Sequence, residues 1–436
     1  MPSSETSGKV AVIGGGWAGM AAAVELASHD VPVVVFEAAR TLGGRARRVV
    51  HDGVALDNGL HILAGAYRET LGLIRRVDGP AAKLARLPLD WRIEDRFRLR
   101  APRLPAPLHL VAALLSAKGI GWPERLAAYR LLGALRAGGF RVEPDRTVAR
   151  MLIEHAQPAA LVRYLWHPLC VAALNTRAEH ASAAVFARVL RDAFAGSRDA
   201  SDMLLAQTDL SALFPEPAAE WIAARGGHVT TNCAVRAIHR EGDGFVLQTR
   251  RGEAHCAQVV CAVAPHSAAP LLAALPGLAS TAVAINRLQH QPIVSVFLQH
   301  QRSVRLPAPM IGLDAAIGQW VFDREAICGQ RGLVGVVISA DGPHRRMPPE
   351  TLAARVRAEI AARYGPLPPL LWHRVFAEKR ATFACTPDLE RPPQRTPLPG
   401  LWLAGDYTAG DYPATLEAAV LSGLACARGI LDERAG

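Results

Sequence analysis

The chain has 436 residues and a formal net charge of +10, from 49 lysines and arginines against 39 aspartates and glutamates. A chain of this length exceeds what one hydrophobic core usually serves, and its dispersed basic charge comes with no aromatic-basic recognition motif, so we expect two domains and no nucleic-acid partner. The seven cysteines are scattered without a C-x-x-C pair, which argues against a disulfide framework or a metal site and favours a reducing compartment.

The first predicted element is an apolar strand, Lys9 to Ile13, which follows directly on polar residues. That beginning predicts no signal peptide and a cytoplasmic protein. A glycine pattern comes next, in which we expect Gly14 to permit a tight turn, Gly16 to let phosphates approach the backbone and Gly19 to allow close packing of helix on strand. The helix Ala18 to Ser28 then offers free N–H groups at its N-terminus, as a dinucleotide pyrophosphate requires.

A second cofactor element lies just downstream. The strand Val33 to Phe36 ends at Glu37, a carboxylate placed to accept hydrogen bonds from ribose hydroxyls. In Leu42-Gly43-Gly44-Arg45, the glycines bring the backbone close, and Arg45 can neutralise pyrophosphate charge. A lone glycine motif is weak support for a nucleotide site, but NAD enzymes have no need of this second element. The pair therefore indicates a flavin dinucleotide.

The pattern after Arg45 predicts a hairpin, Ala46 to His51 paired with Val54 to Leu56, turning at Asp52-Gly53. Two apolar segments follow. One is a run from Leu104 to Leu115, and the other has leucines at helical spacing from Arg125 to Arg136. The run is well short of the roughly 20 residues that span a bilayer. Two interpretations stay open: ordinary core helices of a second domain, or helices in the membrane interface with four flanking cations near the headgroups, namely Arg98, Arg100, Arg103 and Lys118.

The middle of the chain predicts a return to the cofactor fold. The helix Ala218 to Arg225 ends at Gly226-Gly227, a suitable C-cap. The predicted meander that inserts into the Rossmann unit has strands Val229 to Thr231, Ala234 to His239, Phe245 to Thr249 and Gln258 to Val263. A strand-rich segment follows, with strands near Ile293 to Gln299, Val321 to Phe322 and Leu333 to Ser339 and a helix from Pro349 to Tyr364.

The C-terminal part predicts the third piece of the cofactor site. The strand Leu401 to Leu403 leads to Gly405-Asp406, whose carboxylate suits ribityl hydroxyls. A helix beginning near Pro413 would direct its positive end at the flavin N1 and C2 carbonyl and stabilise reduced flavin. We assign further cofactor contacts to Ala18, Val235, Thr415 and Leu416.

These patterns predict a fold of mixed α/β and α+β class. A Rossmann-like FAD-binding domain is assembled from residues 1–77, 210–275 and 385–436. A substrate domain with a mixed sheet and helices takes residues 78–209 and 276–384, with the candidate membrane-contacting helices near 104–136.

Several segments carry a resemblance to a known family. Together with the cofactor pattern, Asp57-Asn58-Gly59-Leu60-His61 resembles the phytoene desaturase side of the FAD-dependent amine oxidase and phytoene desaturase superfamily. Three stretches resemble the squalene-associated FAD-dependent desaturases, or hydroxysqualene dehydroxylases: Leu165 to Thr176, Ala200 to Leu205 and Asp209 to Ala218. The resemblance to this family covers nearly the full length of the chain.

The resemblance implies a reduction in squalene and hopanoid biosynthesis, in which hydroxysqualene loses its hydroxyl and gains hydrogen from reduced, noncovalently bound FAD. It implies a long apolar isoprenoid substrate, an external electron donor, contact with squalene-synthesis enzymes and a peripheral position on the inner face of the membrane. The candidate acids or polar anchors are His61, His167 and Asp411. Asp209 is also a candidate, although its position favours a helix N-cap.

Rival functions stay open at this stage. A carotenoid or squalene desaturase would run the flavin in the oxidative direction on a similar polyene. Amine oxidation would need an aromatic cage beside the flavin, and aromatic residues are few. A flavin-bearing membrane scaffold for squalene synthesis would use the basic surface without turnover.

Overall fold

The computed structural model describes residues 8–78 and 83–435. The prediction that no signal peptide precedes the first strand concerns residues 1–7, which lie outside the described residues.

In the described part of the chain the strands are β1 (Val10–Ile13), β2 (Val33–Phe36), β3 (Arg48–His51), β4 (Val54–Asp57), β5 (Ile62–Ala64), β6 (Leu84–Leu87), β7 (Asp90–Ile93), β8 (Phe97–Arg100), β9 (Met203–Ala206), β10 (His228–Thr230), β11 (Val235–Glu241), β12 (Gly244–Thr249), β13 (Gly252–Cys256), β14 (Gln258–Cys261), β15 (His290–His300), β16 (Met310–Gly312), β17 (Trp320–Asp323), β18 (Leu333–Ser339), β19 (Leu370–Phe383) and β20 (Leu401–Leu403). The helices are α1 (Trp17–Ala27), α2 (Arg68–Asp78), α3 (Leu108–Leu115), α4 (Trp122–Ala137), α5 (Val148–Glu154), α6 (Ala159–Leu161), α7 (His167–Leu174), α8 (Ala183–Phe194), α9 (Leu210–Leu213), α10 (Pro215–Ala223), α11 (Pro265–Ala273), α12 (Ala279–Asn286), α13 (Arg324–Cys328), α14 (Pro349–Tyr364) and α15 (Leu416–Ala435).

A five-stranded parallel sheet joins parts of the chain that are far apart in sequence. Its strand order is β10-β2-β1-β14-β20, and every neighbouring pair is parallel. The central strands β1 and β2 read VAVI and VVVF and are almost wholly buried. Continuous apolar strands of this kind are typical of a parallel sheet covered on both faces. The predicted Rossmann-like fold, assembled from discontinuous segments, is therefore confirmed.

Helices α1 and α15 pack closely over this sheet at a glycine. A Cβ atom added to Gly423 would lie 2.1 Å from the carbonyl oxygen of Ala18, so only glycine permits the contact. A Cβ atom added to Gly429, six residues further along α15, would lie 2.1 Å from the ring of Trp402 on β20. The C-terminal helix is thus fixed against both the first helix and the last strand of the cofactor fold.

The largest sheet is mixed and has the order β19-β15-β18-β17-β16-β7-β8. Strands β7 and β8 come from the segment 78–209 and the others from 276–384, and β7 joins β16 in parallel. Trp91 and Trp320 meet edge to face across this junction with ring centroids 4.5 Å apart. Helix α14 packs Val356 and Ile360 against one face.

Several predicted elements have the observed bounds, including β2, β18, β20 and α14, and the hairpin β3–β4 turns at Asp52-Gly53. The meander is separate from the parallel sheet: β11, β12 and the unpredicted β13 form an antiparallel sheet of their own, flanked in sequence by β10 and β14. Helix α15 begins at Leu416 rather than near Pro413.

The strands β6 to β9 and β19 are not predicted from the sequence. The charged residues of β19, such as Arg374, Glu378 and Lys379, do not form the apolar pattern expected of a strand. They are tolerated because β19 is an edge strand of the large sheet. No helix among the described residues is long and apolar enough to cross a membrane.

The Gly423 contact predicts a stability difference between two glycine-to-alanine changes. Gly423→Ala places a methyl group against the Ala18 carbonyl and should cost about 1–3 kcal/mol, because the backbone must shift. Gly133→Ala, at an exposed position of α4 where an added Cβ meets nothing within 4 Å, should stabilise by about 0.5–1 kcal/mol through helix propensity. Thermal unfolding of both variants would check this, and equal melting temperatures would contradict the close packing.

Candidate active site

The glycines of the first loop have different physical reasons to be glycine. Gly14 has φ +110°, and an added Cβ would lie 2.6 Å from the carbonyl oxygen of Ala262, just after the neighbouring strand β14. A Cβ on Gly19 would lie 2.0 Å from the carbonyl oxygen of Gly14. The protein's own turn and helix packing therefore require these two glycines, as the sequence predicts.

Gly16 differs, because neither its conformation nor its protein neighbours demand glycine. It has φ −78°, and an added Cβ would meet nothing nearer than the Cα of Gly44 at 3.7 Å. Gly16 is the N-cap residue of α1, with no side chain capping the free N–H groups. Bare backbone at a helix N-terminus, faced by a second glycine, is what the close approach of a pyrophosphate requires. The residues present thus fit a dinucleotide.

The second glycine element lies directly on the first. The N–H of Gly43 donates to the carbonyl oxygen of Gly15 at 2.9 Å, and Gly43 forms a parallel bridge with Gly16. Glu37 orients the same loop, because its carboxylate accepts from the N–H of Gly15 at 2.6 Å and from that of Ala39 at 2.7 Å. The strand-end acid, the first loop and Arg45 are consequently held in one local arrangement.

Arg45 joins the two ends of the chain. Its guanidinium forms an ion pair with Asp406, whose side chain is only 8% exposed, and also donates to the carbonyl oxygen of Ala381. Burial alone would lower the pKa of Arg45, but the adjacent Asp406 carboxylate raises it, so the arginine stays charged. This pair places a fixed cation and a fixed carboxylate together, although they are far apart in sequence.

The C-terminal loop is fixed by polar contacts with α15. Gly405, at φ +152°, donates its N–H to Ser422 Oγ at 2.8 Å. Thr415 accepts at Oγ1 from the N–H of Ala418 at 3.1 Å and so caps α15 just before Leu416. The buried Glu417 accepts from two N–H groups at the start of α2, which ties that helix to α15. The roles of Thr415, Leu416, Ala18 and Val235 as cofactor contacts stay predictions.

His61 lies in a small cavity that contains two further ionisable residues. Its Nδ1 is 2.8 Å from the carbonyl oxygen of Gly59 and must donate, since a carbonyl only accepts. Burial lowers the pKa of His61, and the nearby Arg45 lowers it further, so the ring is neutral at pH 7 with Nε2 unprotonated. Asp57 and Arg324 line the same cavity, and both are buried.

Asp57 is the site residue that sequence reasoning missed. Its Oδ1 accepts from the N–H of Leu210 at 2.8 Å, and its side chain is otherwise enclosed. Burial raises its pKa to about 7, well above the usual range of a carboxyl. The available signal was an acidic residue directly after the apolar strand Val54–Leu56, but its burial depends on α9, which lies more than a hundred residues away.

His167 stands at the junction of a π-helix, Val162–Trp166, with α7. The irregular turn arises because Pro168 has no N–H to donate to the carbonyl oxygen of Tyr164. The indole N–H of Trp91 donates to that oxygen instead, at 3.1 Å. The widened turn is a common feature of functional sites. His167 is half-buried there.

The remaining part of the Leu165–Thr176 motif fastens this helix to the large sheet. Asn175, at φ +47°, donates to the carbonyl oxygen of Pro292 and to Thr382 Oγ1, and it accepts from the N–H of Ala340 at 2.6 Å. Thr176 accepts from the N–H of Cys385 at 3.0 Å. These contacts give the motif a positioning role in addition to any contact of His167 with substrate.

The other two acidic candidates lie in different surroundings from His61. Asp209 accepts from the N–H of Ala212 at 3.0 Å and pairs with Arg48, so it is the N-cap of α9, as its position favours. Asp411 is 64% exposed and ion-paired with Arg188 of α8. Its catalytic role stays a prediction. In the described residues we find no cluster of side chains that could hold a metal ion.

The buried carboxyl of Asp57 predicts a pH-dependent stability penalty. The folded protein binds this proton more tightly than the unfolded chain, whose aspartate pKa is about 3.9, so the cost grows as pH rises from about 4 to about 7 and reaches roughly 4 kcal/mol. Asp57→Asn keeps an acceptor for Leu210 and cannot ionise. We expect it to melt above the wild type at pH 8, with a smaller difference at pH 5; a difference independent of pH would contradict the assignment.

Comparison with known proteins agrees with this geometry. The profile of a family described as flavin containing amine oxidoreductase matches residues 17–431. The hydroxysqualene dehydroxylase of Rhodopseudomonas palustris is 32% identical over 95% of this chain and 96% of its own length. The zeta-carotene desaturase of Arabidopsis thaliana is 23% identical over 97% of this chain and 85% of its own.

A solved structure shares the fold. The cyclohexylamine oxidase of Brevibacterium oxydans superimposes with a TM-score of 0.70 over 98% of this chain and all of its own, at 17% identity. The chain therefore belongs to the flavin-containing amine oxidoreductase family and, within it, to the family of hydroxysqualene dehydroxylases, and it is an FAD-dependent oxidoreductase.

Proposed function

We propose that the protein reduces hydroxysqualene to squalene. The observation that carries the proposal is the similarity, over nearly the full length of both chains, to a hydroxysqualene dehydroxylase. Desaturase relatives match with lower identity, which places the oxidative reaction second. The overall change exchanges a carbon–oxygen bond for a carbon–hydrogen bond: the substrate takes up a hydride and a proton, and water leaves.

The cofactor is held noncovalently in this proposal. Gly14, Gly16 and Gly19 with the N-terminus of α1 receive the pyrophosphate, and Glu37 receives the ribose hydroxyls. Gly44 lets the backbone approach the phosphates and Arg45 neutralises their charge, while Gly405 and Asp406 receive the ribityl hydroxyls. Ala18, Val235, Thr415 and Leu416 complete the contacts. Reduced FAD, when bound, supplies the hydride.

The protein's own groups supply orientation and the proton. The unprotonated Nε2 of His61 can accept a hydrogen bond from the substrate hydroxyl, so the geometry favours a polar anchor over an acid at this position. Asp57, whose pKa of about 7 keeps a sizeable protonated fraction at neutral pH, is the better-placed proton reservoir in that cavity. His167 and Asp411 complete the list of candidates for contact with the leaving oxygen.

Location and partners follow from the substrate. Residues 78–209 and 276–384 would form the substrate domain, and a long apolar isoprenoid would enter it from a membrane surface. The helices α3 and α4 carry exposed leucines and support a peripheral membrane contact. An external electron donor must reduce the flavin between turnovers, and proximity to squalene-synthesis enzymes would shorten the transfer of substrate.

Histidine substitutions test the site assignment. We expect His61→Ala and His167→Ala to retain bound FAD and to lose turnover by about 100-fold or more, the range typical of lost acid–base or anchoring groups. The exposed His180→Ala is the matched control and should keep full activity. Wild-type turnover by either site variant would remove that histidine from the catalytic site.

An anaerobic assay tests the direction of the reaction. The FAD-loaded protein is chemically reduced and mixed with hydroxysqualene in detergent, flavin reoxidation is followed by absorbance, and the lipid is extracted. We expect squalene in step with reoxidation. Flavin that stays reduced with unchanged lipid, while the oxidised protein desaturates squalene or phytoene, would replace this proposal by the desaturase alternative. Bound flavin with no turnover in either direction would favour a scaffold.

A further inference from the structure

Exposed apolar side chains are concentrated on α3, α4 and their approach. Of the large apolar residues exposed on the described part of the chain, most lie between Leu104 and Tyr129. On α3 the exposed residues Leu108, Val111 and Leu115 recur at helical spacing. On α4 they are Trp122, Leu126 and Tyr129, at the same spacing. We call these six residues the apolar stripe. A cluster of this kind marks an interaction surface.

Buried side chains and hydrogen bonds fix the two helices that carry the apolar stripe to the rest of the protein. On α3 the opposite face buries Ala113 and His109, and His109 Nε2 lies 3.1 Å from Ser201 Oγ. At the turn after α3, a Cβ added to Gly119 would lie 1.8 Å from the carbonyl oxygen of Arg96, so the chain packs tightly there. Arg125 of α4 donates to the carbonyl oxygen of Ala117 at 2.8 Å. The outward direction of the stripe is therefore fixed by the fold.

A basic groove of about 800 Å³ lies beside the stripe and is defined by Arg98, Arg100, Arg103 and Lys118. Its wall on α3 is formed by Ala112 and Ser116, which are offset from the stripe by about a quarter of a turn of the helix. The groove and the stripe thus lie on adjacent faces of α3.

The charge in this groove is mostly uncompensated. Arg98 forms a bidentate ion pair with Asp90 at 2.8 and 2.6 Å. Arg100, Arg103 and Lys118 have no carboxylate within 4 Å among the residues that the structure describes, and all three are exposed. Backbone hydrogen bonds between Arg98 and Lys118 bring the two ends of the groove together. Three cations without a carboxylate partner, placed together in a concave site, suit an anionic ligand.

We propose that this groove binds the phosphate headgroup of an anionic phospholipid while the apolar stripe enters the acyl boundary of the same leaflet. The inference rests on the membrane contact in the proposed function and deepens it by naming the lipid class. Arginine forks match phosphate oxygens in pairs, and Trp122 and Tyr129 suit the headgroup level because their rings have one apolar and one polar part. Charge complementarity therefore selects anionic over zwitterionic lipid.

The test is binding of the full-length, FAD-loaded protein to vesicles by co-sedimentation. One set contains phosphatidylcholine alone and the other contains phosphatidylcholine with about a third phosphatidylglycerol. We expect the wild type to prefer the anionic vesicles and the triple variant Arg100→Ser/Arg103→Ser/Lys118→Ser to lose most of that preference, on the order of 100-fold at about fivefold per cation. Arg250→Ser/Arg251→Ser/Arg346→Ser, with the same charge change at exposed sites outside the groove, should bind as the wild type does.

The outcomes separate the groove from the membrane contact itself. Equal binding to both vesicle types, abolished by Leu108→Ser/Leu115→Ser, would overturn the headgroup site and leave the membrane contact standing. Equal losses in the two triple variants would reduce the effect to net charge and would also overturn the site. Binding to neither vesicle type would overturn both ideas. Flavin absorbance and melting temperature verify that every variant is folded.

Discussion

The contact between the first and last helices is the constraint on which the cofactor site depends. Gly423 of α15 lies against the backbone of Ala18 in α1, and Ser422 beside it accepts from the N–H of Gly405. One turn of α15 therefore fixes both α1, whose N-terminus we assign to the pyrophosphate, and the loop that carries Asp406. With these two parts in place, Arg45 and Asp406 can meet. The cofactor site is a product of chain closure rather than of any single motif.

The candidate catalytic groups depend on a separate long-range contact. Strand β4 leaves the glycine elements and ends at Asp57, which α9 encloses, and His61 follows in the same cavity. Burial acts on the two groups in opposite ways: it raises the pKa of the carboxyl and lowers that of the imidazole, so both are neutral for a large part of the time near pH 7. A neutral acid and a neutral acceptor suit a reaction that must protonate a hydroxyl in apolar surroundings.

Local features of this protein were predictable from sequence, and distant contacts were not. The glycine spacing Gly14, Gly16 and Gly19 between a strand and a helix is visible in the local sequence, and apolar strands such as β2 are recognisable from their composition. By contrast, the Arg45–Asp406 pair joins residues 361 positions apart, and no local pattern reveals it. The burial of Asp57 depends on α9, and the charged β19 is a strand because β15 pairs with it. Tertiary context decides both.

The central claim is that reduced flavin passes hydrogen to the substrate carbon, and isotope transfer tests it most directly. The reduced protein would be equilibrated in deuterium oxide, so that the flavin N5 carries deuterium, and reacted without oxygen with hydroxysqualene. We predict squalene with one deuterium at the carbon that bore the hydroxyl, detected by mass spectrometry and NMR. Squalene without deuterium at that carbon, or no squalene while the flavin remains reduced, would contradict the account.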